Sequence, residues 1–597
     1  MDLDHPCIAR SRSYVPAAER TKVSDLVADY LTCLGVEAVF VLTGGCAVHL
    51  IQSFSEIDKV DVLPVQHEQS GAMAADAYSR VSGELGVAIA TSGPGATNLL
   101  TGVCCSYYDS VPTLLLTGQV PASQLRRDSE SRQIGFQETD IVSMVKPITK
   151  FAYQLKSSNE IKYILEKAFY IANDGRPGPV FVEVPLDIQG LDLETLPTFH
   201  SRKSIKKYGY DLPNIKIIEN KIKKAKNISI YIGNGLRISG LNIKKLLEEL
   251  DRKKIPRFYS WLSFDLESYE SELNMGCPGS LASIHSNQLL LETDLVIFLG
   301  ARLDLASTAY QRDKFAGKSG RIIIDVDHKE LLKFTSKSDL TINWDLANGL
   351  DWLLDLLPIE NQEQSEWAVK ASARKKIEIS IEDTNLQSSD LNLRNLALAI
   401  SNICPPEFLI PASSGVAEET LTRFLRLNGK TRFFNGAALG SMGQGLSHGI
   451  GAIQARKTPG EKIFIMEGDG GLWMAVHELA TLSVIENRNV ALFILNNDGY
   501  GSIRLSQETH FSYIAGCDEK SGLKLPSWED VASNWNFKYI RVETLQELEN
   551  QLLELCKDFK FQIIDVKIPD MENRGPRLRT IIENEMIKTE PLEDISW

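Results

Sequence analysis

No stretch of the 597-residue chain approaches the roughly 18 consecutive apolar residues that a membrane-spanning helix requires. The N-terminal segment MDLDHPCIARSRSYVPAAER is polar where a secretory signal needs an apolar core. Cysteine is scarce: nine residues, an odd number, with no CxxC pair and with Cys104 beside Cys105, which speaks against a disulfide framework or a zinc knuckle. The expectation is a soluble, cytoplasmic chain with reduced thiols. Positive charge is also in deficit. The 64 Lys and Arg against 78 Asp and Glu leave −14, a poor balance for electrostatic capture of nucleic acid. There is no low-complexity tract and no short-period repeat. What remains is 43% hydrophobic and long enough for three or four domains at about 150 residues each.

Apolar runs ending in Gly, Asp or Asn recur along the chain: VAIATSG (87–93), TLLLTG (113–118), VFVEVP (180–185), ISIYIG (228–233), LVIFLG (295–300), RIIIDVD (321–327), KIFIMEGDG (462–470) and VALFILNND (490–498). They read as strands buried on both faces. Segments of helical spacing lie between many of them, which predicts an α/β protein of doubly wound parallel sheets. Ligands in such sheets sit beyond the carboxyl ends of the strands, where these Gly-rich breaks fall. Two polar stretches, 187–226 and 358–392, read as linkers. They divide the chain into 20–190, 210–355 and 390–570, with 571–597 as a C-terminal tail that folds over a neighbouring surface.

The most informative motif is in the third of these domains. One apolar strand runs into Gly468-Asp469-Gly470-Gly471, and the next runs into Asn496-Asn497. One strand–helix–strand unit returns Asn497 to the sheet end that carries Asp469. Hard oxygen ligands for a divalent cation then meet backbone N–H groups suited to phosphate. A GDG turn that merely joins strands is the plain alternative, and the paired register argues against it. His477-Glu478 begins a zinc-like HExx pattern, but position 481 is Thr481, so zinc is rejected.

The pair resembles the signature of the thiamine diphosphate enzymes. The resemblance implies that Asp469, Asn497 and the Gly499 carbonyl hold Mg²⁺, with the Gly470 and Gly471 amides on the diphosphate. Thiamine chemistry also needs a carboxylic acid on the aminopyrimidine ring, best set in an apolar wall that favours the protonated form. Glu68, in VLPVQHEQSGAMAADAYSR, follows a strand-like run and opens an Ala-rich helical segment. A Glu that only satisfies a helix dipole is the alternative. With TSGPGATN (91–98), VPTLLLTGQVP (111–121) and GRPGPVFVEVP (175–185) following in order, the first domain resembles that of the acetolactate (acetohydroxyacid) synthases. The three domains are then pyrimidine-binding, central and diphosphate-binding.

The same resemblance implies further roles. Gly440 and Met442, in GSMG, would bend the cofactor into its V shape; a Met filling a core gap is the alternative. Ser413 and Ser414 are weaker candidates for the diphosphate, and Phe136 and Gln137 would face the donor. Arg302 and Asp325 belong to segments where the family holds FAD, together with YIGNG (231–235) and MGCPG (275–279), although MGCPG replaces the usual MHG-type turn. Because the family builds each site from two chains, a homodimer or homotetramer is expected.

Three departures bear on the acceptor. The family's GxRFDDR here reads Gly300-Ala301-Arg302-Leu303-Asp304-Leu305-Ala306, so the Arg that grips the second keto acid's carboxylate is Ala306. Ser506 stands where the family has a crowding Trp. A longer loop after Pro121 carries Arg126, Arg127 and Arg132, either a solvated loop or a cationic lip for a phosphorylated or nucleotide-linked acceptor. The leading expectation is a thiamine diphosphate- and Mg²⁺-dependent decarboxylating carboligase, a transferase that passes the two-carbon unit of pyruvate to a carbonyl acceptor other than a keto acid, such as a nucleotide-linked keto sugar. Acetolactate synthase is the alternative. Against a simple decarboxylase, the paired His typical of pyruvate decarboxylase is absent around 120–137, and a non-catalytic module would not keep Glu68, Met442, Asp469 and Asn497.

Overall fold

The computed structural model describes residues 13–14, 20–126, 130–193, 199–200, 215–280, 282–316, 320–358, 361–385, 389–456, 458, 460–486, 489–511, 513–569, 578, 580–583 and 586–595. Among them, three parallel sheets account for the fold. The first holds β1 (Ala38–Val41), β2 (Asp61–Pro64), β3 (Gly86–Ala90), β4 (Thr113–Gln119), β5 (Phe151–Gln154) and β6 (Val180–Pro185), in the order β2-β1-β3-β4-β6-β5. The second holds β7 (Ile228–Ile232), β8 (Arg257–Tyr259), β9 (Leu295–Leu299), β10 (Arg321–Asp325) and β11 (Asp339–Asn343), ordered β8-β7-β9-β10-β11. The third holds β12 (Phe408–Pro411), β13 (Arg432–Phe433), β14 (Ile463–Gly468), β15 (Val490–Asn496), β16 (Tyr539–Val542) and β17 (Gln562–Lys567), ordered β13-β12-β14-β15-β17-β16.

All eight apolar runs are strands of these sheets, with central members buried on both faces, as parallel strands covered by helices must be. The first and third sheets share one strand order. In each sheet the winding reverses next to the first strand, at β1/β3, β7/β9 and β12/β14, and such reversals open the crevice where ligands bind.

Seven helices matter for the site: α1 (Glu68–Ser82), α2 (Gln362–Asn385), α3 (Gly415–Phe424), α4 (Gln444–Ala455), α5 (Asp469–Met474), α6 (Glu478–Val484) and α7 (Gly501–His510). The stretch 358–392, read from its polarity as a linker, is largely α2. Its Trp367 and Ala371 bury against the second sheet's core, and Gln364 bonds the backbone of Ile228 in both directions, so a few inward residues fasten an otherwise polar helix. Most of 187–214 beyond Leu193 lies outside the described residues, and Ile215–Lys224 is helical, burying Ile218 and Ile222. From the C-terminal stretch, Leu578, Leu592 and Ile595 pack into the second domain's aromatic cluster of Tyr231, Phe298 and Phe315. No helix of the described residues is long and apolar enough to cross a membrane.

The first and third domains meet along α1 and α4. Small residues let the helices approach closely: a Cβ on Gly451 would lie 2.0 Å from the Ala74 carbonyl oxygen. Within this contact is a buried polar cluster. Arg80 Nε reaches Asp76 Oδ1 at 2.6 Å and its Nη2 reaches Asp109 Oδ2 at 2.8 Å, while His448 Nε2 of α4 lies 3.2 Å from Asp76 Oδ1.

Candidate active site

The third domain's switch point sets the Ser413-Ser414 turn after β12 beside the Gly468-Asp469 turn after β14. The register of β14 with β15 pairs Gly468 with Leu495, so the chain leaves the sheet at Asp469 directly beside Asn496 and Asn497. Asp469 is buried. Its Oδ1 accepts from the Gly470 N–H at 2.8 Å and its Oδ2 from the Gly499 N–H at 2.9 Å, which laces the two loops together. Burial pushes its carboxyl up to about 6, against those two hydrogen bonds. A buried carboxyl held only by amides is a natural seat for a cation.

Asn496 and Asn497 have separate tasks. Asn496 Nδ2 bonds Asp565 Oδ1 at 2.9 Å inside the sheet, and its Oδ1 accepts from the Asp498 N–H. Asn497 is half-buried, and the buried Arg504 of α7 donates from Nη2 to its carbonyl at 2.9 Å. The oxygens that these adjoining turns carry, a carboxylate, a side-chain amide and loop carbonyls, are of the kind that suits Mg²⁺ better than a softer metal. A Cβ on Gly470 would lie 2.3 Å from the Tyr500 ring, and one on Gly471 2.9 Å from Glu467 Oε2, so a side chain at Gly470 would displace the ring and one at Gly471 would press on the Glu467 carboxyl.

The GSMG segment lies against the same turn. Gly440 (φ +68°) takes a left-handed conformation that glycine adopts without strain, and a Cβ there would come within 3.5 Å of the Ser413 carbonyl. Met442 is half-exposed and belongs to none of the core clusters. The Ser413 hydroxyl is buried and accepts from the Gly436 N–H at 2.9 Å, so it braces this loop, whereas Ser414 caps α3 with no side-chain bond to the helix.

Glu68 opens α1 in the first domain and is buried. Asn98 Nδ2 donates to its Oε2 at 2.9 Å, and a Cβ on Gly95 would sit 3.3 Å from its Oε1. The TSGPGATN turn thus closes over Glu68. Phe136 is 84% exposed, and Gln137 has a positive φ of 63° with its backbone against Gly93. In the second domain, Arg302 Nη1 lies 3.4 Å from the Tyr108 carbonyl, and burial pushes Asp325 up to about 6 while its Oδ1 accepts from the Asp327 N–H.

Motif reading missed several participants. Asn98 lay inside a quoted motif without a role. Glu467, in the strand just before Asp469, is fully buried, is pushed up to about 7 by burial, and accepts from the Gly445 N–H at the start of α4. An acid inside the run KIFIME was the available signal. Glu418 of α3 is buried beside Asn435 and pushed up to about 8 by burial and by Glu419. Arg127 lies outside the described residues; Arg132 is exposed, and the backbone of Arg126 is tied to Glu138.

Comparison with known proteins agrees with this geometry. Residues 21–144 match the thiamine pyrophosphate enzyme N-terminal TPP binding domain, 215–353 the central domain and 413–566 the C-terminal TPP binding domain. The chain is 28% identical over 571 residues to the acetolactate synthase large subunit of Lactococcus lactis, covering 94% of each chain. It is 29% identical over 590 residues to the probable acetolactate synthase large subunit of Methanocaldococcus jannaschii, covering 96% of each. With chloroplastic acetolactate synthase 2 of Zea mays it shares 27% over 575 residues, 94% of this chain and 87% of that one. The chain belongs to the thiamine diphosphate-dependent enzymes, in their acetolactate synthase-like family.

Proposed function

We propose that the protein is a decarboxylating carboligase that moves the two-carbon unit of pyruvate onto a carbonyl acceptor other than a 2-keto acid, such as a nucleotide-linked keto sugar. When bound, thiamine diphosphate supplies a nucleophilic carbon and an electron sink for loss of CO₂. Asp469, Asn497 and the Gly499 carbonyl hold Mg²⁺, and the Gly471 amide with the Ser414 turn faces the diphosphate. Gly440 and Met442 shape the cofactor seat. Glu68 holds a proton on the aminopyrimidine, and Phe136 and Gln137 line the donor side. The observation that carries the acceptor reading is the loop after β9: Ala306 stands where the family resemblance puts the carboxylate-gripping Arg, and Leu305 beside it is 49% exposed. The nearest guanidinium groups in that loop are engaged elsewhere, Arg302 toward the Tyr108 carbonyl and Arg312 with the Leu303 carbonyl. Ser506 on α7 is exposed. A missing bidentate Arg removes a charge-assisted pair of about 1.5–3 kcal/mol from any keto-acid acceptor.

FAD in the second domain is part of this reading. The Gly233–Gly235 turn and Gly300 meet at the β7/β9 switch point, the place where a sheet of this winding takes a nucleotide, and Asp325 ends the next strand. A flavin absorption spectrum of the purified protein tests it. The shared site is supported by apolar side chains around it that one chain leaves uncovered, Phe136 at 84%, Met474 at 54% and Trp473 at 40% exposure. Mixing inactive Glu68→Gln and Asp469→Ala chains should restore activity if two chains build one site.

The deciding experiment supplies thiamine diphosphate, Mg²⁺ and pyruvate, with and without a nucleotide-linked 4-keto sugar. A two-carbon adduct that appears only with the sugar is the expected result. Rapid acetolactate from pyruvate alone would instead establish the second reading, an acetolactate synthase, which the relatives' names and their near-complete coverage favour.

A further inference from the structure

Glu478 opens α6, a few residues beyond the α5 helix that begins at Asp469, and its side chain is fully buried. Its Oε1 accepts from the backbone N–H of Gln66 at 3.0 Å and of His67 at 3.1 Å. Its Oε2 lies 2.7 Å from the Thr481 hydroxyl, which is also 3.3 Å from the Pro64 carbonyl. Gln66 and His67 are the two residues immediately before Glu68, and His67 is the N-cap of α1. A carboxylate from the third domain thus grips the turn of the first domain on which Glu68 is mounted.

We propose that Glu478 is a positioning residue for Glu68: by holding the turn of Gln66 and His67 it fixes the direction of the Glu68 carboxyl. This rests on the reading of Glu68 as the group that activates the aminopyrimidine. The physical case is that amide N–H groups at the entry to a helix have no partner within the helix and need an outside acceptor. A carboxyl that is itself fully buried makes a strong acceptor for them. With Glu478 gone, the part-buried N–H groups of Gln66 and His67 lose this acceptor and the turn is free to shift, and displacement of a reacting group by about 1 Å can cost about a hundredfold in rate. The cofactor seat built from Asp469 and Asn497 is not touched by that loss.

The test compares Glu478→Ala, Glu478→Gln and Glu68→Gln in the full-length protein. Three readouts are needed: thiamine diphosphate and Mg²⁺ affinity from fluorescence titration, the rate of deuterium exchange at the bound cofactor's C2, and kcat with KM for pyruvate. Glu478→Ala should keep cofactor affinity within about threefold while slowing C2 exchange and kcat by about tenfold to a hundredfold. Glu478→Gln retains an oxygen that accepts from Gln66 and His67, so it should recover most of the rate. Exchange at the wild-type rate in Glu478→Ala, with Glu68→Gln slow, refutes the positioning role and leaves the Glu68 reading intact. Wild-type exchange in Glu68→Gln overturns the Glu68 reading and the positioning role with it. If Glu478→Ala does not accumulate as folded protein, Thr481→Val removes one of the hydroxyl groups that orient the Glu478 carboxyl, the other being that of Ser70; a severalfold slowing is then expected, and no slowing refutes the proposal.

Discussion

Replacing Arg80 with Ala should destabilise the protein far more than an ordinary charge deletion. Arg80 is the shared cation of Asp76 and Asp109, and all three side chains are at most 5% exposed. Burial alone would raise both carboxyl groups. At Asp76, Arg80 and His448 outweigh it and hold the acid well below the usual carboxylate range, with the Ser106 hydroxyl 2.9 Å from its Oδ2. At Asp109 burial wins and the acid is raised. Removing Arg80 leaves two buried carboxylates without their shared cation, a loss of about 3–5 kcal/mol. The linkage at Asp76 follows from its depressed folded-state value: its contribution is present above the unfolded pKa near 4 and fades as pH falls through the folded one. The Arg80→Ala penalty should therefore be large from pH 7 down to about 4 and shrink only below that. Thermal melts at several pH values check this, read on the first transition because a three-domain chain need not unfold in one step. A double replacement, Asp76→Asn with Arg80→Met, should regain part of the loss because no uncompensated charge remains at that pair. A pH-independent loss below about 1 kcal/mol, the size of a surface ion pair, would refute the reasoning.

Asp469→Ala and Asn497→Ala should each abolish Mg²⁺-dependent binding of thiamine diphosphate in calorimetry while leaving the circular dichroism spectrum unchanged; retained binding would remove the metal assignment. Ala306→Arg should raise kcat/KM for a 2-keto acid acceptor by roughly ten- to a hundredfold, the value of a charge-assisted pair, and no change would mean that position 306 does not face the acceptor. Glu418 is raised to about 8 in the fold from an ordinary 4.5, so it costs stability as pH climbs from 4.5 through 8. Glu418→Gln should raise the melting temperature at pH 9 and have little effect at pH 4.5; an equal effect at both values would contradict burial as the cause.

The meeting of the Asp469 and Asn497 turns at one sheet edge was legible because it is written in contiguous residues. Asp469 and Asn497 each end an apolar strand, and one strand–helix–strand unit must bring consecutive parallel strands back to the same edge. Glu68 was legible for a similar reason, as an acid at the junction of an extended run and an Ala-rich helix. Polarity misled at 358–392, where a few inward residues such as Trp367 and Ala371 suffice to dock a long helix on a finished core.

By itself the sequence determined the local units: apolar runs that can only be buried strands, and the glycine turns at Gly440, whose left-handed backbone a side chain would strain, and Gly470, where a Cβ would meet Tyr500. The tertiary structure alone decided which units meet. Asp76 finds His448, and Gln66 finds Glu478, across more than 350 residues of chain. Such partnerships leave no mark on periodicity or turn chemistry, because a buried carboxylate selects its donor by position in space once two sheets have folded and their helices have packed.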